Sequence, residues 1–184
     1  MKKVCIYCSS SEPAENIRQA TIAICSAFKS LDLELVWGGS DVGLMKLVAD
    51  TVQASGARIH GVSLARLASQ TKEHADSMYM AQTLSERVET MISMSDSFII
   101  FPGASGTLDE FAHTLELRRL GLHQKPVILF NLDGFYDGLL AYFDEVHRHQ
   151  MQTIWIDAST RKIAPISEMV QVARTTDEVL AWVR

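Results

Sequence analysis

A run of small residues, Pro102-Gly103-Ala104-Ser105-Gly106-Thr107, separates an apolar segment from a helical pattern. Glycines let a backbone approach a ligand closely, and unpaired amides at a helix start favour an anion such as phosphate. Two further turns share this character. Gly38-Gly39-Ser40-Asp41-Val42-Gly43 follows a second apolar run, and Ser9-Ser10-Ser11 follows a third, with Ser10 offering a hydroxyl. One glycine turn before a helix is common, but two of them and a serine turn, each after a separate strand, point to a phosphate-bearing ligand. No G-x-x-x-x-G-K-[ST] run is present, which excludes triphosphate hydrolysis of the P-loop type.

Two charged residues next to these turns could do chemistry. Thr107-Leu108-Asp109-Glu110 has the spacing of a capping box, with Thr107 as N-cap and Glu110 reaching back, a device worth about 1 kcal/mol. The other reading puts the Glu110 carboxylate one turn into a phosphate-binding helix, close to a sugar. Spacing alone favours the cap. Arg87 lies in a helical pattern whose apolar stripe is Leu84, Val88, Met91 and Ile92, so spacing alone favours a solvated arginine paired with Glu86 or Glu89. Cys5 and Cys8 spell C-x-x-C on a strand, where side chains three apart point to opposite faces. They read as structural, and no spacing suited to metal ligands appears elsewhere.

The elements that must hold these residues alternate strand and helix. Strands are expected at 3–8, 33–37, 57–63, 77–81, 96–103, 126–131 and 169–173, with a short apolar segment at 153–156. Helices are expected at 14–30, from near Val42, at 84–94, 107–120, 135–149 and 176–183, and 64–76 is irregular. Continuous Val/Ile/Phe runs between amphipathic helices mark a parallel sheet covered on both faces. The expected fold is therefore α/β, a Rossmann-like, doubly wound, three-layer α-β-α sandwich, with ligands at the carboxyl ends of the strands.

Composition agrees with that fold and narrows the partners. The chain has 184 residues, 47% hydrophobic and 21% charged, and a formal net charge of −5. That length suits one domain over 1–184, since domains commonly hold about 100–200 residues. An acidic chain is a poor match for duplex nucleic acid. No apolar run nears the roughly 20 residues that cross a bilayer, and the one behind Lys2-Lys3 is too short for a signal peptide. Three cysteines without an export signal suggest a reducing cytoplasm.

The segment Pro102–Glu110 resembles the P-G-G-x-G-T-x-x-E motif of the Lonely Guy family, cytokinin riboside 5′-monophosphate phosphoribohydrolases that often carry the label "possible lysine decarboxylase". Ser85-Glu86-Arg87 is similar to the family's E-R-K helix, and Val36-Trp37-Gly38-Gly39 with Gly43-Leu44-Met45 to its Y-G-G-G-x-x-G-L-M-G. Leu120–Val127 and Asn131–Tyr136 match further segments. The resemblance implies hydrolysis of the N-glycosidic bond of a nucleoside 5′-monophosphate, giving free base and ribose 5-phosphate without metal or cofactor. It assigns catalysis to Glu110 and Arg87. Phosphate or substrate binding falls to Ser10, Gly38, Gly39, Gly43, Pro102, Gly103, Ala104, Ser105, Gly106 and Thr107. It also implies a homodimer, for which Met91 and Met94 are weak support in the sequence.

Several positions depart from the family pattern. Ala104 replaces a glycine, which would cost about 1–2 kcal/mol if that residue needs positive φ. Ser9 and Ser40 also stand at glycine positions, Val88 at a lysine, Lys46 at a glycine and His113 at a second glutamate. These mark a divergent member. They motivate an alternative, a non-catalytic binder of a nucleotide or phosphorylated cofactor, as in the similar molybdenum-cofactor carriers. Decarboxylation through pyridoxal phosphate finds no support. Lys2, Lys3, Lys29, Lys72 and Lys162 read as terminal or surface residues, and neither Lys46 nor Lys125 builds a Schiff-base site.

Overall fold

Val4, Ile6 and Cys8 face one side of the first strand while Cys5 and Tyr7 face the other, and both sides are buried. That alternation requires a layer of helices on each face. The computed structural model, which describes residues 1–184, provides it. Seven strands form one sheet: β1 (Lys2–Tyr7), β2 (Leu33–Trp37), β3 (Ile59–Leu64), β4 (Ser77–Ala81), β5 (Ser97–Ile100), β6 (Val127–Phe130) and, after a hairpin described below, β9 (Gln171–Ala173). Their order is β4-β3-β2-β1-β5-β6-β9 and every pairing is parallel.

Helices α1 (Glu15–Ser26), α2 (Gly43–Ala54) and α6 (Thr176–Val183) pack on one face, over Ile6, Leu35 and Ile99. Helices α3 (Leu84–Met94), α4 (Ser105–Arg119) and α5 (Asp137–Arg148) cover the other, over Tyr7, Val36 and Ile100. This is the expected doubly wound α-β-α sandwich. Chain order runs outward from β1 through β2, β3 and β4, then returns to β5 on the other side of β1. The switch point therefore lies between β1 and β5, where diverging connections leave a crevice at the carboxyl edge. Register levels the strand ends there: Ile6 pairs with Trp37 and Tyr7 with Ile100, so all three small-residue turns leave the sheet at one height.

Several elements differ from the sequence expectation. α4 begins at Ser105, two residues before the expected start. Ala104 is its N-cap and no side chain caps it, so Thr107 is not an N-cap and the Thr107–Glu110 capping box does not form. A real capping box instead opens α6, between Thr175 and Glu178. Arg161–Ile163 forms an unexpected strand, β8, pairing antiparallel with β7 (Thr153–Trp155) as a hairpin outside the main sheet. All three β8 residues are exposed, so they carry no apolar signal. Leu84 is 59% exposed and stands off the buried stripe of α3, whereas Met91 is buried in the core, which removes it as an interface residue.

Gly43 opens α2 at φ +53°, and a Cβ there would overlap the Ser10 carbonyl. Both the conformation and the close approach demand glycine. The contact ties the β1 turn to α2, reinforced by bonds from Leu44 N to Ser11 O (3.0 Å) and from Met45 N to Ser9 O (3.3 Å). Gly43→Ala should cost about 2–3 kcal/mol, read as a lower urea midpoint at unchanged slope.

Candidate active site

Arg87 reaches its position because α3 starts in a fixed place. Thr83 caps the helix by accepting from Glu86 N (3.1 Å), and the Glu86 carboxylate accepts from Gln82 N and the Tyr79 hydroxyl (2.7 Å each). Glu86 is thus committed to the cap and is not the partner of Arg87. The arginine turns inward instead. Its Nε donates to Val62 O (2.9 Å), Nη2 to Gly38 O (3.4 Å) and Nη1 to Glu110 Oε1 (2.7 Å). Arg87 is 12% exposed and Glu110 9%, so the solvated arginine expected from spacing is overturned.

Gly38 makes this possible, since a Cβ there would overlap the Arg87 guanidinium. On the other partner, Glu110 sits in the second turn of α4, held by a column of hydroxyls. Thr114 Oγ1 donates to Glu110 O (2.9 Å), which leaves the Tyr7 hydroxyl to donate to Thr114 (2.9 Å). Tyr136 donates to Phe101 O (2.6 Å), fixing the strand end from which the small-residue turn departs.

The pair lies in a cleft of about 350 Å³ at the switch point. Ser10, Gly38, Ala104, Ser105, Gly106 and Thr107 line it with Arg87 and Glu110. Four residues named from sequence do not: Gly39, Gly43, Pro102 and Gly103 stand behind the wall and shape its backbone. The first bond within α4 runs from Leu108 N to Ala104 O, so the amides of residues 105–107 have no partner in the helix. With the helix dipole, they form a donor set for an anion.

Sequence reasoning missed the other walls. Leu64, Leu67 and Gln70 come from the irregular stretch after β3, and Leu84, Val42 and Met45 add apolar surface. One signal could have found the first three: β3 ends at the same sheet edge, so its loop must face the crevice. Lys72 in that stretch, read as a surface residue, has only 9% of its side chain exposed.

Electrostatics single out Glu110. Burial pushes its carboxyl above the ordinary range, Arg87 partly offsets this by attraction and hydrogen bonding, and Asp109 adds repulsion. Cys8 also lines the cleft, but burial, with the Glu110 charge beside it, holds its thiol far above the usual range. A neutral thiol is a poor nucleophile, so Cys8 is a wall residue. Nowhere do three His, Cys, Asp or Glu side chains gather in a way that could hold a metal.

The departures from the family pattern also find their places. Ala104 adopts φ −95°, so the expected strain is absent, and Ser40 does not take positive φ either. Val88 is buried in the core against its own face of the sheet and does not line the cleft. Lys46 pairs with Asp41 (3.0 Å) and Asp50 (3.2 Å) outside the cleft.

A raised carboxyl pKa also makes a statement about stability. Glu110 favours the folded state fully below its ordinary pKa of 4.5, and that contribution is lost as pH rises through its folded value. Glu110→Gln has no such loss. Its urea midpoint should therefore gain on wild type as pH goes from about 4 to 7, and parallel pH profiles of the two proteins would contradict the assignment.

The chain is similar to several known proteins. A protein-family model described as "Possible lysine decarboxylase" matches residues 45–178. A probable cytokinin riboside 5′-monophosphate phosphoribohydrolase of Oryza sativa subsp. japonica is 34% identical over 160 residues, covering 80% of this chain and 70% of its own. One from Arabidopsis thaliana is 35% identical over 147 residues, covering 78% and 73%. Among solved structures, a molybdenum cofactor binding protein from Rippkaea orientalis superposes with a TM-score of 0.73 at 16% identity, over 99% of this chain and 94% of its own. That likeness is one of fold. By the family match and the extent of these identities, the chain belongs to the Lonely Guy family, known by that decarboxylase label.

Proposed function

We propose that the protein hydrolyses the N-glycosidic bond of a nucleoside 5′-monophosphate, AMP or a cytokinin riboside monophosphate, to free base and ribose 5-phosphate. The observation that carries this is the Arg87–Glu110 pair, buried in the same cleft as the 105–107 amides. Family membership supports the same activity, because the named relatives are phosphoribohydrolases.

The chemistry follows from charge. Breaking the C1′–N bond sends its electron pair to the base and builds positive charge on the ribose, an oxocarbenium-like state. The Glu110 carboxylate offsets that charge and orients, or accepts a proton from, the water that attacks C1′. Three guanidinium nitrogens of Arg87 are already committed to Glu110, Val62 and Gly38, so its first task is to hold the carboxylate. The phosphate falls to the 105–107 amides and the Ser10 hydroxyl, which converts binding into orientation at C1′. Pro102 and Gly103 shape that turn, while Gly39 and Gly43 shape its neighbour.

The test is release of base and ribose 5-phosphate from AMP and prenylated AMP. Glu110→Ala and Arg87→Ala should each lower kcat by about 10²–10⁴-fold while AMP still binds. Activity should fall on the acid side at a pH above the ordinary carboxyl pKa of 4.5, and Glu110→Gln should abolish that limb. Saturable AMP binding without turnover, with affinity little changed in Glu110→Gln, would favour the carrier reading instead.

We further infer a homodimer working in the cytoplasm. Leu84 and Leu108, both exposed, flank the cleft on α3 and α4 and suit an apolar contact between copies. All three cysteines are free and buried, in keeping with a reducing compartment. No helix is long and apolar enough to cross a membrane. Light scattering should give twice the chain mass of 20.5 kDa, and a mass of one chain at micromolar concentration would refute the dimer.

A further inference from the structure

Among the cleft walls, the 3-10 helical segment Ala65–Gln70 stands apart because none of its six residues is buried. A segment without core residues holds its place only through its ties to the rest of the fold. Here the ties concentrate at one end. Asp41 N donates to Gln70 O (2.8 Å), Lys72 N donates to Gly39 O (2.9 Å), and Ser40 bridges Thr71. Beside them the Lys72 ammonium enters a four-charge cluster, bonding Asp41 (3.3 Å) and Asp50, which also share Lys46. Two lysines and two aspartates balance, and Lys72 is the shielded member.

The cleft residues this segment supplies are chemically distinct from the rest. Amides of the 105–107 turn and the Arg87–Glu110 pair suit a phosphate and a sugar, whereas Leu67 and the Gln70 amide, beside Leu64 at the end of β3, suit a flat heteroaromatic ring.

We propose that Lys72 is a positioning residue for ligand discrimination: clamped between Asp41 and Asp50, it fixes the segment whose Leu67 and Gln70 recognise the base half of the ligand. This rests on the nucleotide reading of the cleft. Asp41 is held below the usual carboxylate range, first by the Lys46 bond against opposing burial and then by Lys72, so its carboxylate stays ionised at neutral pH. A methionine at position 72 keeps the stem and removes the clamp. The two aspartates, each more than a third exposed, then remain solvated and paired with Lys46.

The experiment is calorimetric titration of Lys72, Lys72→Met and Lys72→Arg proteins, each on a Glu110→Ala background in which AMP binds without appreciable turnover, with AMP and with ribose 5-phosphate, alongside thermal melts. Lys72→Met should weaken AMP by roughly tenfold and leave ribose 5-phosphate within about twofold, and Lys72→Arg should recover most of the loss. Leu67→Ala and Gln70→Ala should show the same selectivity. Unchanged AMP affinity in Lys72→Met would overturn the proposal. So would a parallel loss for both ligands with a lowered Tm, which marks a merely structural role, or a Lys72 protein that binds AMP no better than ribose 5-phosphate. Hydrolysis of AMP by wild type is assayed separately. Its absence would refute the hydrolytic reading while the affinities still decide the clamp.

Discussion

Taking a guanidinium and a carboxylate out of water is unfavourable unless their attraction and the surrounding hydrogen bonds replace what hydration supplied. The Arg87–Glu110 contact at 2.7 Å meets that condition through its neighbours. Carbonyls from β3 and from the turn after β2 accept two further guanidinium donors, and Gly38 keeps its own side chain out of the way. Glu110 has no comparable set of donors, and the result is asymmetric: the arginine is satisfied and the carboxylate is left short of hydration. Its raised pKa expresses that shortage. A carboxylate under-solvated in the free protein gains most when positive charge develops beside it, which is the situation that breaking a glycosidic bond creates.

Such a pair needs a scaffold that brings two distant helices together, and the doubly wound sheet does so by topology. α3 and α4 lie on the same face, and the return of the chain from β4 to β5 places the start of α4 beside the end of β1. The hydroxyl column from Tyr7 through Thr114 to the Glu110 backbone crosses that junction. The geometry of the pair and the sheet order are therefore one constraint: slipping β5 against β1 by one residue would turn Ile100 toward the opposite helix layer and break the column.

Much of this was legible in the residues. Buried strands read as Val/Ile/Phe runs because parallel strands covered on both faces need no polar side, and small-residue turns read as ligand loops because only backbone approaches there. The helix starts were harder. At Thr107 the capping-box spacing was present and the box was not, because a turn able to receive a ligand leaves its first amides unpaired while a capped one does not. Arg87 misled for a similar reason. A charged residue at the edge of an apolar stripe looks solvated until its partners, 23 and 49 residues away at Glu110 and Gly38, are known. β8 left no trace, since exposed residues carry no periodicity, and the 65–70 wall was legible only through its place after β3 at the carboxyl edge of the sheet.

Where the chain departs from its family's pattern, the backbone explains why the fold tolerates it. A glycine is required only where φ is positive or where a Cβ would strike a neighbour. Gly43 and Gly38 satisfy those conditions, and Ala104 and Ser40 satisfy neither on the count of φ. Val88 puts an apolar side chain in an apolar layer. None of these changes replaces a partner in the Arg87–Glu110 contact, and Ala104 keeps the N-cap conformation that leaves the amides of 105–107 unpaired. Outside the cleft, Lys46 brings a cation to Asp41 and Asp50, the same carboxylates that hold Lys72. Departures in this chain thus fall on both sides of the cleft: Ser9, Ser40 and Ala104 line it at the small-residue turns, and Lys46 stands beside the segment that carries Leu67 and Gln70. Arg87 and Glu110 keep their contact through all of them, because that contact is made by side chains and carbonyls that none of these substitutions replaces.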